Sequence, residues 1–97
     1  MTKNNGGHIS FEQTVEMLKN NDVLLIDVKS EEEYQKFHLK NSINIPIEVF
    51  YKIAPSVIKN KNQTIVVYCS SGIRSLAAYE MLIDLGYNNV YNVYGGV

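Results

Sequence analysis

Short apolar runs alternate along the chain with segments whose apolar residues recur every three or four positions. The runs at residues 23–28 and 64–68 are too short for typical helices and are typical of strands buried on both faces of a parallel sheet. Residues 42–45 and 90–93 predict two further short strands. The pattern therefore predicts an α/β fold, with a small, mainly parallel sheet flanked by helices on both faces.

Two helix starts carry the same local signature, a serine followed three residues later by Gln or Glu. Ser10 with Gln13 and Ser30 with Glu33 form capping-box patterns. They predict helices from residue 11 to about residue 20 and from residue 31 to about residue 37. The residues whose spacing predicts the buried face of the first helix are Phe11, Val15 and Leu18.

Two further helical segments are predicted in the second half of the chain. Pro55 is expected to split residues 48–59 into two short helices, because proline lacks the amide that a helix interior requires. Residues 75–85 predict a longer helix, and Gly86 is placed to cap its carboxyl end. The residues that line one face of this helix are Ala78, Met81, Leu82 and Leu85.

Composition limits the classes of protein that need to be considered. The 97 residues are 45% hydrophobic with a net charge of −1, which predicts one globular domain over residues 1–97. Residues 1–8 are polar, are expected to be flexible and lack the apolar core of a signal peptide. No apolar run approaches the ~20 residues of a membrane span, and nine Lys and Arg against ten Asp and Glu form no basic surface. We expect a cytoplasmic protein that binds neither membrane nor nucleic acid.

Cys69 is the only cysteine, so an internal disulfide, a Cys-x-x-Cys pair and a multi-cysteine zinc site are excluded. It follows the best predicted strand and precedes the best predicted helix, which is where parallel sheets bind ligands. The helix start supplies unpaired amides, Gly72 lets the loop curl so that amides point inward, and Arg74 adds a positive charge. These features predict a thiol with a lowered pKa. The alternative is a small, buried and inert cysteine.

This loop resembles the active-site loop Cys-x-x-Gly-x-Arg-Ser of the rhodanese-like sulfurtransferase family. Residues 25–29 resemble the family's Leu-Ile-Asp-Val-Arg, and residues 33–46 resemble its stretch from Glu-Tyr through Gly-His-Ile to Asn-Ile-Pro. Residues 85–96 resemble its ending, so the similarity covers residues 9–97. The residues of the loop are Cys69, Ser70, Ser71, Gly72, Ile73, Arg74 and Ser75.

Three features depart from the family pattern. Lys29 stands where the family usually has Arg, and Phe37 and residues 40–41 replace the usual Gly and Pro-Gly around the histidine. The chain stops at Val97, where the family usually continues through a Trp-containing segment. These departures predict an altered pocket rim and a minimal or shortened domain.

The resemblance implies a sulfurtransferase that uses no metal or other cofactor. Cys69 is expected to take the outer sulfur from thiosulfate or from a persulfide-carrying protein and to hold it as a persulfide. An acceptor thiol, or cyanide, then removes it. Ser70 to Ser75 are expected to bind the donor and the persulfide, with Arg74 holding an anionic donor.

Asp27 and Lys29 are predicted to support the site. Asp27 ends a strand and either organises the Cys69 loop or caps its own turn. Lys29 either lines the pocket rim or is an ordinary surface lysine. The resemblance assigns His38 a structural hydrogen bond.

Two alternatives to the sulfurtransferase stay open. One is a rhodanese-like interaction or regulatory module that has lost turnover, although such copies commonly lose the cysteine. The other is a cysteine phosphatase, whose loops are one residue longer between Cys and Arg than the four residues found here. A phosphatase also requires an acid for its leaving group, and the sequence offers no clear candidate.

Overall fold

Residues 4–97, which the computed structural model describes, contain five strands and four helices. These are β1 (Gly7–Ile9), α1 (Phe11–Met17), β2 (Leu24–Asp27), α2 (Glu31–Lys36), β3 (Ile43–Asn44), α3 (Ile47–Val57), β4 (Ile65–Tyr68), α4 (Ile73–Asp84) and β5 (Val90–Val93). All pairings in the sheet are parallel, in the order β1-β5-β4-β2-β3. The predicted α/β class is confirmed, and β4 occupies the centre of the sheet.

Apolar side chains cover both faces of this sheet, which explains why its central strands are continuous apolar runs. On one face, α3 and α4 contribute fully buried residues such as Phe50 and Leu82. On the other face, Met17 and Leu18 at the end of α1 pack against a second cluster. The buried members of that cluster are Ile9, Leu25, Val66, Tyr68 and Val93.

Both predicted capping boxes are present. The Ser10 hydroxyl accepts from the Gln13 amide at 3.0 Å, and the Gln13 side chain accepts from the Ser10 amide at 2.8 Å. Ser30 and Glu33 form the same pair of bonds at 3.2 and 3.1 Å. Each box satisfies two amides that a helix start otherwise leaves unpaired.

The buried face of α1 differs from the prediction. Phe11 and Val15 are 41% and 47% exposed, whereas Thr14 is fully buried. The Thr14 hydroxyl donates to the Ser10 carbonyl at 2.9 Å, so its burial leaves no unpaired donor. The helix also ends at Met17, about three residues earlier than predicted.

Pro55 does not split α3, which is continuous over Ile47–Val57. The proline lies in the last turn, where the only helical bond it removes is the one to the carbonyl of half-exposed Tyr51. The bond from the Ile58 amide to the Ala54 carbonyl, at 2.8 Å, closes the helix after it.

The other long helix, α4, begins at Ile73, two residues before the predicted start. Its carboxyl end is as predicted: Gly86 has φ +97°, and its amide donates to the Ile83 carbonyl at 3.0 Å. The Tyr87 amide donates to the Leu82 carbonyl at 3.0 Å, which completes a Schellman motif. At 12 residues, α4 is the longest described helix, and none in residues 4–97 is long and apolar enough to cross a membrane.

The sequence pattern did not predict β1. Residues 1–8 were expected to be flexible, whereas Gly7 and His8 lie in this strand and pair with Tyr91 and Asn92 of β5. Gly7 has weak intrinsic strand propensity, so the pairing depends on a strand more than 80 residues away. Residues 1–3 lie outside the described part of the chain.

Candidate active site

The Cys69 sulfur lies directly after β4, the central strand, and its side chain is fully buried. The following residues curl back so that the Gly72 amide donates to Sγ at 3.1 Å and the Ser75 amide at 3.4 Å. The Ser75 hydroxyl lies 3.5 Å from Sγ, where it can donate to the thiolate. The sulfur therefore faces hydrogen-bond donors from the start of α4.

Gly72 makes this turn possible. It is the N-cap of α4 and has φ +89°, in the left-handed region that glycine adopts without strain. A Cβ atom at this position would lie 2.9 Å from the Gly95 backbone nitrogen. Glycine thus meets both a conformational and a steric requirement.

A second backbone segment supports the loop from behind. Gly95 and Gly96 both have positive φ values, and a Cβ atom at Gly96 would collide with the Ser70 carbonyl. The Val97 amide donates to the Cys69 carbonyl at 2.9 Å. The turn after β5 is therefore part of the site. The resemblance marked the two glycines only as an ending, because their contact with the loop is not a local pattern.

Opposing effects set the pKa of the Cys69 thiol. Burial raises it, but hydrogen bonds from the Ser75 hydroxyl and from the Ser75, Ser71 and Gly72 amides lower it by more. The pKa falls from an ordinary 9.0 to about 7. About half of the thiol is therefore ionised near neutral pH, which supplies a nucleophile without a general base.

We expect Ser75→Ala to raise the midpoint of Cys69 alkylation by about one to two pH units, because a hydrogen bond to a charged group is worth about 1.5–3 kcal/mol. The rate of reaction with iodoacetamide against pH measures it, with a wild-type midpoint near the pKa of about 7. Ser71→Ala is the matched control, because the described contact of its hydroxyl is with the Ile73 amide at 3.4 Å, and its own amide is retained. Equal midpoints for both variants would contradict the assignment of Ser75.

Arg74 points from the first turn of α4 toward α2. Its Nη1 donates to Glu33 Oε1 at 2.6 Å and its Nη2 to Glu33 Oε2 at 3.0 Å, a bidentate ion pair. Nη2 also donates to the Ser70 hydroxyl at 3.2 Å. Hydrogen bonding to Glu33 raises the pKa of Arg74, and the Arg74 and Ser30 hydrogen bonds lower the pKa of Glu33 to about 2. The pair is charged throughout the neutral range.

Glu33 is the site residue that sequence reasoning missed. Its place in the Ser30 capping box already accounted for a glutamate at this position, so no second role was sought. Its partner lies 41 residues further along the chain, and no local spacing predicts that contact. The role of Arg74 in holding a donor stays a prediction. In the structure, both terminal nitrogens of its guanidinium already donate to Glu33. Among the other loop residues, Ile73 is 74% exposed, and the Ser70 and Ser71 side chains are exposed.

Asp27 and Lys29 form a buried pair at the end of β2. Asp27 accepts the Lys29 amide at 2.8 Å, so it caps its own turn, and none of its bonds within residues 4–97 reaches the Cys69 loop. Both alternatives for Lys29 are wrong, since the residue is only 4% exposed. Its Nζ lies 3.4 Å from Asp27 Oδ2, donates to the Phe37 carbonyl at 3.0 Å and lies 5.6 Å from the Tyr68 ring centroid, which together compensate for burial.

The other features that were considered as possible functional sites lie away from the Cys69 sulfur. The His38 Nδ1 atom lies 2.7 Å from the Tyr34 carbonyl, and the two rings stack with centroids 3.8 Å apart. No group of three metal-ligating side chains comes together within the described residues. A polar crevice of about 540 Å³ lies between the amino ends of β2 and β4, at the end of the sheet opposite Cys69.

A family model described as "Rhodanese-like domain" matches residues 10–97. A curated protein of Photorhabdus laumondii named tRNA uridine(34) hydroxylase is 36% identical over 96 residues, which cover 95% of this chain. The protein of the same name from Hamiltonella defensa is 33% identical over 96 residues, again 95% of this chain. The chain spans only 27% of the length of each of these relatives.

Solved structures share the same architecture. A rhodanese-related protein from Thermoplasma volcanium is 31% identical with a TM-score of 0.78, covering 92% of this chain and 84% of that one. A human single-domain sulfurtransferase has a TM-score of 0.82 at 22% identity, covering 93% and 90%, and shows the fold alone.

Proposed function

The chain belongs to the rhodanese-like domain family, and on that premise we propose that it is a sulfurtransferase whose Cys69 accepts and passes on a single sulfur atom. The observation that carries the proposal is the set of donors around Sγ, with the Gly72 amide at 3.1 Å and the Ser75 amide at 3.4 Å. Donors arranged in this way stabilise a thiolate before reaction and a persulfide anion after it.

The first step is attack of the Cys69 thiolate on the outer sulfur of the donor. A new S–S bond forms at Sγ, the donor's own bond to that sulfur breaks, and its electron pair leaves with sulfite or with a thiolate. Neither leaving group needs a proton from the protein. An acceptor thiolate or cyanide then attacks the outer sulfur of the persulfide and regenerates the Cys69 thiolate, which is ping-pong covalent catalysis.

We expect intact mass spectrometry to show Cys69 gaining one sulfur atom, about 32 Da, after a thiosulfate or persulfide pulse and losing it after cyanide. Because the sequence holds one cysteine, the added mass can be assigned without mapping. A protein that stays unloaded with every donor would contradict the proposal and favour an interaction module.

A second candidate function comes from the relatives named tRNA uridine(34) hydroxylase, since 36% identity extends over 95% of this chain. In this case Cys69 would be required for the modification of uridine 34 in tRNA. Mass spectrometry of uridine 34 in tRNA, from cells carrying wild-type chain or Cys69→Ser, tests this directly. Unchanged hydroxylation in the variant cells would contradict this candidate and leave sulfur transfer unaffected.

A further inference from the structure

Arg74 is the only cation in the sequence of the Cys69 loop, and a carboxylate already occupies it. Both of its terminal nitrogens bond to Glu33, at 2.6 and 3.0 Å. A small dianion that approaches the sulfur therefore meets a neutralised pair instead of a free guanidinium.

Glu33 is held in place independently of Arg74. Its Oε1 atom accepts from the Ser30 amide at 3.1 Å and from the Ser30 hydroxyl at 3.0 Å, as part of the α2 capping box. Because the cap fixes the carboxylate at the first turn of α2, Arg74 could bind a donor only by leaving a carboxylate that stays in place. The ion pair is thus a fixed feature of the approach to Cys69.

We propose that Glu33 is a specificity-determining residue, which disfavours dianionic donors such as thiosulfate and favours a persulfide carried on a thiol. This inference rests on the proposed function. A persulfide carried on a thiol has no sulfonate-like group that requires a cation. Its outer sulfur is the atom transferred, and the amides around Sγ stabilise it there. Its leaving group is a thiolate with one charge, whereas the leaving group of thiosulfate is dianionic sulfite.

The chain offers a matched pair of variants that remove the same charge from adjacent residues. Glu33→Gln retains the cap, since Gln13 performs that role in α1, but loses the ionic pairing with Arg74. Glu32→Gln is the control, because Glu32 is 84% exposed and lies 3.6 Å from Lys36 on the outer face of α2. Melting temperatures verify that both variants fold.

The test has one readout that does not depend on sulfur transfer: the rate of Cys69 alkylation by anionic iodoacetate divided by that by neutral iodoacetamide. We expect Glu33→Gln to raise this ratio by up to about fivefold, the upper end of what a partly exposed ion pair contributes. We expect the same factor in kcat/KM for thiosulfate relative to cysteine persulfide. Glu32→Gln should leave both ratios near the wild-type values.

The two hypotheses fail in different ways. Alkylation and donor ratios in Glu33→Gln that equal those of Glu32→Gln would overturn the role of Glu33. A wild-type protein that accepts sulfur from neither thiosulfate nor cysteine persulfide would overturn the proposed function instead.

Discussion

Replacing Cys69 with serine is expected to lower sulfur transfer on the order of a thousandfold or more, the loss typical of removing a covalent nucleophile. A serine hydroxyl is not ionised near neutral pH and forms no persulfide. The amides of Gly72 and Ser75 can donate to its oxygen as they do to Sγ. The fold should therefore survive while the chemistry is lost.

Thiocyanate formation from thiosulfate and cyanide measures the activity, and thermal unfolding measures the fold. Ser56→Ala is a suitable control, because the described bond of this exposed hydroxyl is to the Ile53 carbonyl in α3, away from the site. Thiocyanate formation by Cys69→Ser at the wild-type rate would contradict the persulfide mechanism.

Gly96→Ala should have the second largest effect, because it combines backbone strain with a collision. Alanine in the left-handed region costs about 1–2 kcal/mol, and forcing an atom into a packed site costs about 1–3 kcal/mol more. The atom that must yield is the Ser70 carbonyl oxygen, directly after Cys69. We expect a stability loss of about 2–5 kcal/mol in total, and sulfur transfer reduced roughly a hundredfold if the loop moves by about 1 Å.

Gly95→Ala separates the two causes. Gly95 has φ +77°, close to the +80° of Gly96, yet a Cβ atom there would have no neighbour within 4 Å. This variant should lose about 1–2 kcal/mol through strain alone and keep most of its activity. Chemical denaturation and thiocyanate formation give both quantities, and equal losses for the two variants would contradict a role for Gly96 in supporting the loop.

Features set by neighbouring residues were predictable from the sequence. Both capping boxes, the Gly86 cap and the position of Cys69 between a strand and a helix follow from spacings of a few residues, and all are present. The lowered pKa of Cys69 was reasoned from Gly72, the helix start and the charge of Arg74. The hydrogen bonds that lower it come from Gly72, Ser71 and Ser75, whereas Arg74 is paired with Glu33.

Features that join distant parts of the chain were not predictable in this way. The pairing of Glu33 with Arg74 and the contact of Gly96 with Ser70 depend on how α2, α4 and β5 are arranged. Lys29 was assigned to a rim or to the surface because a lone lysine in a sequence does not reveal the carboxylate and rings that compensate for its burial.

The two outer strands of the sheet have a consequence for behaviour at high concentration. β3 has two residues and β1 three, whereas the three strands between them have four each. Each edge strand therefore exposes too few free amides and carbonyls for a strand of a neighbouring molecule to pair with it and extend the sheet. The strongly apolar β-branched segment at Ile65–Tyr68, which would be prone to cross-β stacking if it lay at a border, is enclosed between β2 and β5. Folded protein should consequently resist fibril formation, and seeding should require the sheet to open first.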